Sequence, residues 1–399
     1  MKILILSFYF RPDLSAGSFR ASALVDAFCK LSLSDLQIDV ITTLPNRYHS
    51  FTAEAPATER QAGLSIFRIA LPKHRSGMLD QAKAFLTFFC GVMSHTANRD
   101  YNIVFATSGR LMTAVLGAWV ARRKNSMLYL DIRDIFVDTI KDVLPRKISR
   151  VIKPCFSALE RWAITRAEKV NLVSSGFLEY FSTRYPQQHF SYFTNGIDNE
   201  FLLAANSHSF TPTAVSIKQT LTVLYAGNLG ESQGLHIIIP KLAKLMGPRL
   251  YFKIIGDGGR KHALAAAISK IGATNVELFP PVNRFELIEA YRAADVLFLH
   301  LNDYDAFKKV LPSKLFEYAA LGKPIWAGLS GYSADFVKSE ISNAAIFHPC
   351  DIQGAANALK TLKIQSEPRT DFIAKYSREN ISKLMVMDIL GVSSNEACL

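Results

Sequence analysis

The chain has 399 residues, 49% hydrophobic and 20% charged, with 46 Lys and Arg against 34 Asp and Glu for a net charge of +12. That length holds two domains of ~100–200 residues with full cores, and the absence of low-complexity tracts and internal repeats excludes a disordered or fibrous chain. No apolar run approaches the ~18–20 residues of a membrane-spanning helix. The five cysteines (Cys29, Cys90, Cys155, Cys350, Cys398) are odd in number and scattered, which excludes a disulfide framework or CxxC metal site and points to a reducing cytoplasm.

The opening apolar run ends at Arg11-Pro12 without a small-residue cleavage site, so it reads as a buried strand over 3–8 rather than a signal peptide. A helix over 18–31 follows the loop Ala16-Gly17-Ser18, where Gly17 permits close backbone approach to a ligand or simply turns the chain. Apolar runs at 37–42, 64–70, 103–107, 127–132 and 170–174 predict further strands, with helices over 79–98, 111–123 and 144–168 between them. The strand over 127–132 delivers Asp131-Ile-Arg133-Asp134 to its carboxyl end. Such carboxylates position a sugar hydroxyl or take a proton, or form a structural ion pair with the arginine.

The stretch from Lys141 to Lys169 carries eight Lys or Arg against three acids, a local net of +5. Leu144, Ile148, Val151, Cys155, Leu159 and Trp162 recur at helical spacing, predicting an amphipathic helix that restarts at Pro154. Its basic face suits an anionic membrane or a phosphate-rich acceptor, or is a solvated outer face. Nucleic acid is not expected, because no recognition helix, zinc finger or RNP-type strand accompanies the charge.

After a polar stretch at 199–220, the alternation resumes. Strands are predicted at 221–226, 250–255, 276–278, 296–300 and 324–327, and helices at 236–245, 260–271, 284–294, 313–321 and 352–362. The fold class that follows is α/β, two Rossmann-like doubly wound domains facing across a cleft, with ligands at the carboxyl ends of the strands. The expected division is 1–198, a linker over 199–220, 221–370, and a helical segment over 371–399 crossing back to the first domain.

Gly227-Asn-Leu-Gly-Glu-Ser-Gln-Gly234 and Ile255-Gly256-Asp-Gly-Gly259 are strand-end glycine turns whose backbone N–H groups suit phosphate. Neither is a P-loop or a GxGxxG fingerprint. In Val310–Ile325, Pro312 and Ser313 fit a capped helix start, while Gly322 and Pro324 stop the helix. Lys314 then stands beside an N-terminal helix end suited to phosphate, and Glu317, one turn in, can accept from a ribose diol. An ordinary core-packed helix with a surface lysine fits the same residues. Asp303-Tyr-Asp305 has the form of a metal-holding DxD, but Lys308-Lys309 beside it supplies cationic charge, so no metal is expected. The histidines show no ligand spacing and no GxSxG elbow occurs.

Taken in order, Ala16-Gly17-Ser18, the 158–175 stretch, Thr194-Asn-Gly-Ile-Asp198, Tyr225-Ala-Gly-Asn228, Ile254-Ile-Gly-Asp-Gly258, Tyr291-Arg-Ala-Ala-Asp-Val296 and Leu311–Pro324 resemble the GT-B-fold retaining glycosyltransferases of glycosyltransferase family 4. Together with Thr43–Tyr48, they are similar to a bacterial O-antigen and capsule subgroup that includes N-acetyl-L-fucosamine transferases. The resemblance implies a nucleotide-sugar donor, UDP-linked, and a lipid-linked glycan acceptor at the inner face of the cell membrane, without metal or another cofactor. It implies donor binding by Gly17, Ser18, Asn228, Gln233, Gly256, Val282, Ser313, Lys314, Leu315 and Glu317. Asp131, Arg133 and Asp134 stand on the acceptor side, and Asp134, Lys309 and Lys314 carry the catalytic roles. The chain departs from the pattern at Lys309, where the first glutamate of the Glu-x7-Glu motif stands, and at Asn228 and Gln233, where many members carry Arg and Lys.

Overall fold

The computed structural model describes residues 1–31, 35–46, 54–72, 78–138, 146–206 and 219–391, without the side chains of 78, 79 and 146–149. Arg47, Tyr48, Lys141, Leu144, Cys398 and residues 207–218 of the expected linker lie outside this set, as do the side chains of Arg146 and Lys147. The chain forms two compact units, Met1–Asn195 with Glu379–Leu399, and Gly196–Arg378.

The first unit contains strands β1 (Lys2–Leu6), β2 (Gln37–Thr43), β3 (Thr58–Gln61), β4 (Leu64–Ile69), β5 (Ile103–Ser108), β6 (Met127–Ile132), β7 (Lys169–Leu172) and β8 (Phe190–Ser191). They make one sheet in the order β3-β4-β2-β1-β5-β6-β7-β8, parallel except for the β3–β4 pair. Helices α1 (Ala16–Lys30), α2 (Met78–Thr96), α3 (Leu111–Lys124), α4 (Arg146–Ile164) and α5 (Leu178–Arg184) follow or cross between the strands. The central strands are sealed on both faces, as in Ile3–Leu6 and Val104–Ala106. This is why they read as unbroken apolar runs rather than alternating ones.

Helix α4 runs through Pro154 without restarting. Pro154 is exposed, so water can satisfy the carbonyl whose partner the ring removes. The apolar stripe of the helix is not wholly buried. Val151 is 77% exposed and Cys155 is exposed, while Glu160, Ala163 and Ile164 form the buried side.

The second unit contains β9 (Leu221–Asn228), β10 (Leu250–Asp257), β11 (Val276–Phe279), β12 (Val296–His300), β13 (Ile325–Gly328) and β14 (Ala344–Phe347). They form a sheet in the order β11-β10-β9-β12-β13-β14, parallel throughout. Its helices are α6 (Asn199–Asn206), α7 (Leu235–Met246), α8 (Lys261–Ile271), α9 (Arg284–Ala293), α10 (Lys314–Ala320), α11 (Tyr332–Glu340), α12 (Ile352–Thr361) and α13 (Thr370–Lys375). The core gathers Phe252, Phe298, Trp326 and Phe347.

Residues 199–206, expected in a linker, are helix α6 and belong to this unit. The last helix, α14 (Arg378–Leu390), buries Met385, Val386 and Ile389 in the core of the first unit, beside Phe28, Phe105 and Tyr129. Asp388 ties it there, accepting from the Tyr129 and Ser191 hydroxyls and from Lys169.

Candidate functional site

In the second unit, the site is built at the carboxyl ends of β9 and β10. Gly227 (φ +144°) and Gly256 (φ +152°) are register partners in backbone conformations that side chains disfavour. A Cβ on Gly256 would lie 1.9 Å from the Gly227 carbonyl oxygen, so only a glycine at 256 lets these strand ends meet. The turn beyond β9 is closed by neutral groups. Asn228 Nδ2 donates to Gln233 Oε1 at 3.0 Å, the Gly230 N–H donates to the same oxygen at 3.2 Å, and Tyr225 donates to the Asn228 carbonyl at 2.7 Å.

Lys314, the first residue of α10, lays its ammonium over this turn. A Cβ on Gly227 would stand 2.2 Å from Lys314 Nζ, and the ammonium is 5.7 Å from the centre of the Tyr225 ring, within cation–π range. One turn later Glu317 is 9% exposed. Tyr291 donates to its Oε2 at 3.2 Å, and Arg284 Nη1 lies 3.6 Å from Oε1. Burial pushes its pKa up, against the positive charges of Arg284 and Lys314. Arg284 and Arg378 both bind Asp198, so Glu317 ends a chain of alternating charges.

Two expectations for α10 are corrected. Ser313 has helical backbone angles (φ −61°, ψ −28°) and its hydroxyl caps nothing, because a cap needs extended backbone to bring its oxygen over the first turn. The Leu315 and Phe316 N–H groups are taken by the Pro312 and Ser313 carbonyls, each at 3.2 Å. The Leu315 side chain is fully buried. The helix start therefore presents Lys314 more than a row of amides. Val282 is half-buried in the loop before α9, where Asn283 and Glu286 form a reciprocal cap that fixes Arg284 at the helix start. Lys309 is half-buried at the end of the short turn Asp305–Lys309. Its neighbour Lys308 is exposed and binds Asp305 at 2.8 Å.

Sequence reasoning passed over His300, fully buried at the end of β12. Its Nδ1 lies 2.7 Å from the Gln233 carbonyl, and its Nε2 accepts from the Cys350 N–H at 2.9 Å. Burial lowers its pKa to about 4, only partly offset by the Gln233 carbonyl. A neutral ring donating through Nδ1 and accepting through Nε2 thus pins the turn that carries Gln233. Asn302 joins it there by donating to the Glu231 carbonyl at 3.1 Å.

In the first unit, Ser15 caps α1 by accepting from the Ser18 N–H at 3.2 Å, and Ser18 is buried. A Cβ on Gly17 would lie 2.4 Å from Arg133 Nη1, so this glycine gives the guanidinium its place. Asp131 departs from its acceptor-side expectation. It is fully buried, bridged by Arg20 through two bonds of 2.9 Å and by Asn171 at 2.8 Å. Arg20 also donates to the Phe193 and Thr194 carbonyls. Burial alone would raise the pKa of Asp131, but Arg20 holds the carboxyl below its usual range. Asp131 is half of an internal ion pair that joins β6 to α1. Asp134, three residues on, is exposed, while the density of chain around its carboxyl pushes its pKa up to about 6 against Arg133. Among the described residues, no cluster of three or more His, Cys, Asp or Glu is arranged to hold a metal.

Residues 212–379 match the family model described as Glycosyl transferases group 1. A colanic acid biosynthesis glycosyl transferase of Escherichia coli strain K12, WcaI, is 34% identical over 100 residues, 25% of this chain. The match spans about a quarter (24%) of that relative's length. The solved structure of WaaG, a glycosyltransferase involved in lipopolysaccharide biosynthesis, aligns over 96% of this chain and 94% of its own, with a TM-score of 0.63 at 12% identity. That of Anabaena Alr3699/HepE in complex with UDP aligns over 98% and 100%, with a TM-score of 0.61 at 15% identity. The fold is thus the two-domain α/β fold of GT-B glycosyltransferases, and the group 1 glycosyl transferase match falls on the unit that carries Lys314 and Glu317.

Proposed function

We propose that the protein transfers a glycosyl group from a UDP-sugar to a lipid-linked glycan, with retention at the anomeric carbon, in the assembly of a cell-surface polysaccharide. An N-acetylated deoxyamino sugar is the proposed donor class, and the inner face of the cell membrane the proposed place of work. The observation that carries this reading is the pairing of Lys314, seated on the Gly227 turn, with a buried Glu317 one helical turn away. A carboxylate held by Tyr291 and Arg284 is a fixed acceptor for two vicinal ribose hydroxyls. An ammonium over glycine backbone is a fixed cation for the diphosphate that departs as the glycosidic bond breaks. Stabilising that developing charge is chiefly electrostatic work, done without reorganisation at the moment of reaction.

The neutral Asn228–Gln233 pair leaves the turn short of the two cations that many members of the family carry there. Lys314 and Lys309 are proposed to make up that charge. The acceptor hydroxyl loses its proton to the departing phosphate, so no dedicated protein base is required for the retaining step.

Incubation of the protein with UDP-sugars, with and without a lipid-linked acceptor and followed by NMR, tests the reading. Release of UDP only with acceptor supports it. Conversion of the donor sugar without acceptor would make the protein an epimerase, and no turnover in either case would leave a binding protein. Lys314→Ala and Lys309→Ala are each expected to lower kcat by about 10-fold or more. Near-wild-type kcat in both rejects their role.

A further inference from the structure

Helices cover both faces of a doubly wound sheet, but in the first unit that cover stops short of the amino ends of β1, β2 and β4. Helix α2 closes over Phe67, whose ring centre lies 4.9 Å from that of His95 in its last turn. Beyond Phe67 the same face of the sheet turns polar. On β4 it passes from Phe67 to Ser65, on β2 from Ile41 through Asp39 to Gln37, and on β1 from Leu4 to Lys2. Register places Lys2 beside Gln37, and sets Asp39, Ser65 and Arg60 of β3 in one row. The segment from Arg99 to Tyr101 walls this end of the face, leaving a cleft of about 260 Å³.

The polar groups of the cleft fall into two sets. One is satisfied within the fold. Asp39 accepts from Arg99 at 3.1 Å and from the Tyr101 hydroxyl at 2.8 Å, and the Arg99 guanidinium lies over the Phe67 ring at 4.5 Å. Asp100 at the rim stands 3.8 Å from Lys124. The other set is Lys2, Gln37, Arg60 and Ser65, whose side chains have no hydrogen-bond or ion-pair partner among the described residues. With both acids matched, Lys2 and Arg60 leave two positive charges uncompensated. Three inter-strand spacings, ~14 Å in all, separate their backbones, a gap that two long side chains close around a small anion. We infer that this cleft binds a small sugar phosphate. A phosphate monoester carries close to two negative charges at neutral pH and matches the fork of a guanidinium. The Gln37 amide and the Ser65 hydroxyl supply partners for the hydroxyls of the sugar. The volume falls below the ~300–1,000 Å³ of sites for drug-sized ligands, which fits a body of one ring rather than a nucleotide. The cleft lies at the amino ends of the strands, whereas Gly17, Arg133 and Asp134 follow the carboxyl ends of β1 and β6. The inference is therefore independent of the proposed transfer.

Calorimetric titration of the intact protein with ribose 5-phosphate tests it. Arg60→Gln and Lys2→Gln are each expected to weaken binding about 10-fold, with thermal unfolding unchanged because both side chains are exposed. Lys314→Ala is expected to leave the affinity as it is, which separates this cleft from the proposed nucleotide site. Inorganic phosphate and succinate are expected to bind more weakly, since one lacks the sugar hydroxyls and the other the phosphoryl group. The inference is overturned by absence of binding, by an affinity that neither Arg60→Gln nor Lys2→Gln lowers, by loss of binding in Lys314→Ala, or by equal affinity for inorganic phosphate or succinate.

Discussion

Replacing Glu317 by Gln tests the donor site most sharply, because it removes a charge while keeping shape. The amide retains an oxygen for the Tyr291 hydroxyl at the 3.2 Å now spanned, and Arg284 keeps Asp198 as its partner. The fold is therefore expected to survive. If the carboxylate holds ribose hydroxyls, the substitution exchanges charge-assisted bonds worth ~1.5–3 kcal/mol each for neutral ones. A net loss of about 2 kcal/mol corresponds to ~30-fold weaker UDP binding. The sign decides the issue. A carboxylate facing a diphosphate repels it, so the same change would tighten UDP if Glu317 lay at the phosphates. Calorimetric titration of both proteins with UDP gives the answer, and equal or tighter binding by Glu317→Gln would refute the assignment. Stability carries a second signature. Burial raises the folded-state pKa of Glu317 above its unfolded value, so both states are neutral below the unfolded pKa and stability is greatest there. It falls as pH rises from the unfolded toward the folded value, and the Gln variant is expected to lack this decline.

Three further outcomes are expected. Gly227→Ala places a Cβ on the Lys314 ammonium at a φ of +144° and should destabilise the second unit by ~1–3 kcal/mol while weakening UDP; a melting curve like wild type would count against the strained turn. Asp131→Ala leaves Arg20 buried without its carboxylate and should cost ~3–5 kcal/mol in denaturant unfolding, with the acceptor KM of the surviving folded protein unchanged. If Asp134 acts on the acceptor side, its ionisation near pH 6 should appear as kcat/KM rising between pH 5 and 7; Asp134→Asn should flatten that limb, and an unaltered profile removes Asp134 from the mechanism.

The alternating architecture was legible because buried parallel strands leave unbroken apolar runs, such as Ile3–Leu6 and Val296–Leu299. The edges were not. Strand β3 is Thr-Glu-Arg-Gln, largely exposed, and β8 has two residues, so neither carries a periodic signal. Spacing also found the apolar stripe on α4 but not its direction, since periodicity states that residues share a face and not which way the face points. Glu317 and Lys314 were readable from their local helix. Their partners were not, because Arg284, Asp198 and Arg378 meet them across long stretches of chain. The Asn283–Glu286 capping pair offered one available signal for the helix start that fixes Arg284. Arg20 and Asp131 are separated by 111 residues, and nothing local distinguishes that aspartate from Asp134.

The decisive measurement is a crystal structure of the protein with UDP. Both ribose hydroxyls are expected within hydrogen-bond distance of the Glu317 carboxylate, and the diphosphate between the Gly227 turn and Lys314. A nucleotide bound elsewhere, or phosphates against Glu317 and ribose on Lys314, would contradict that placement.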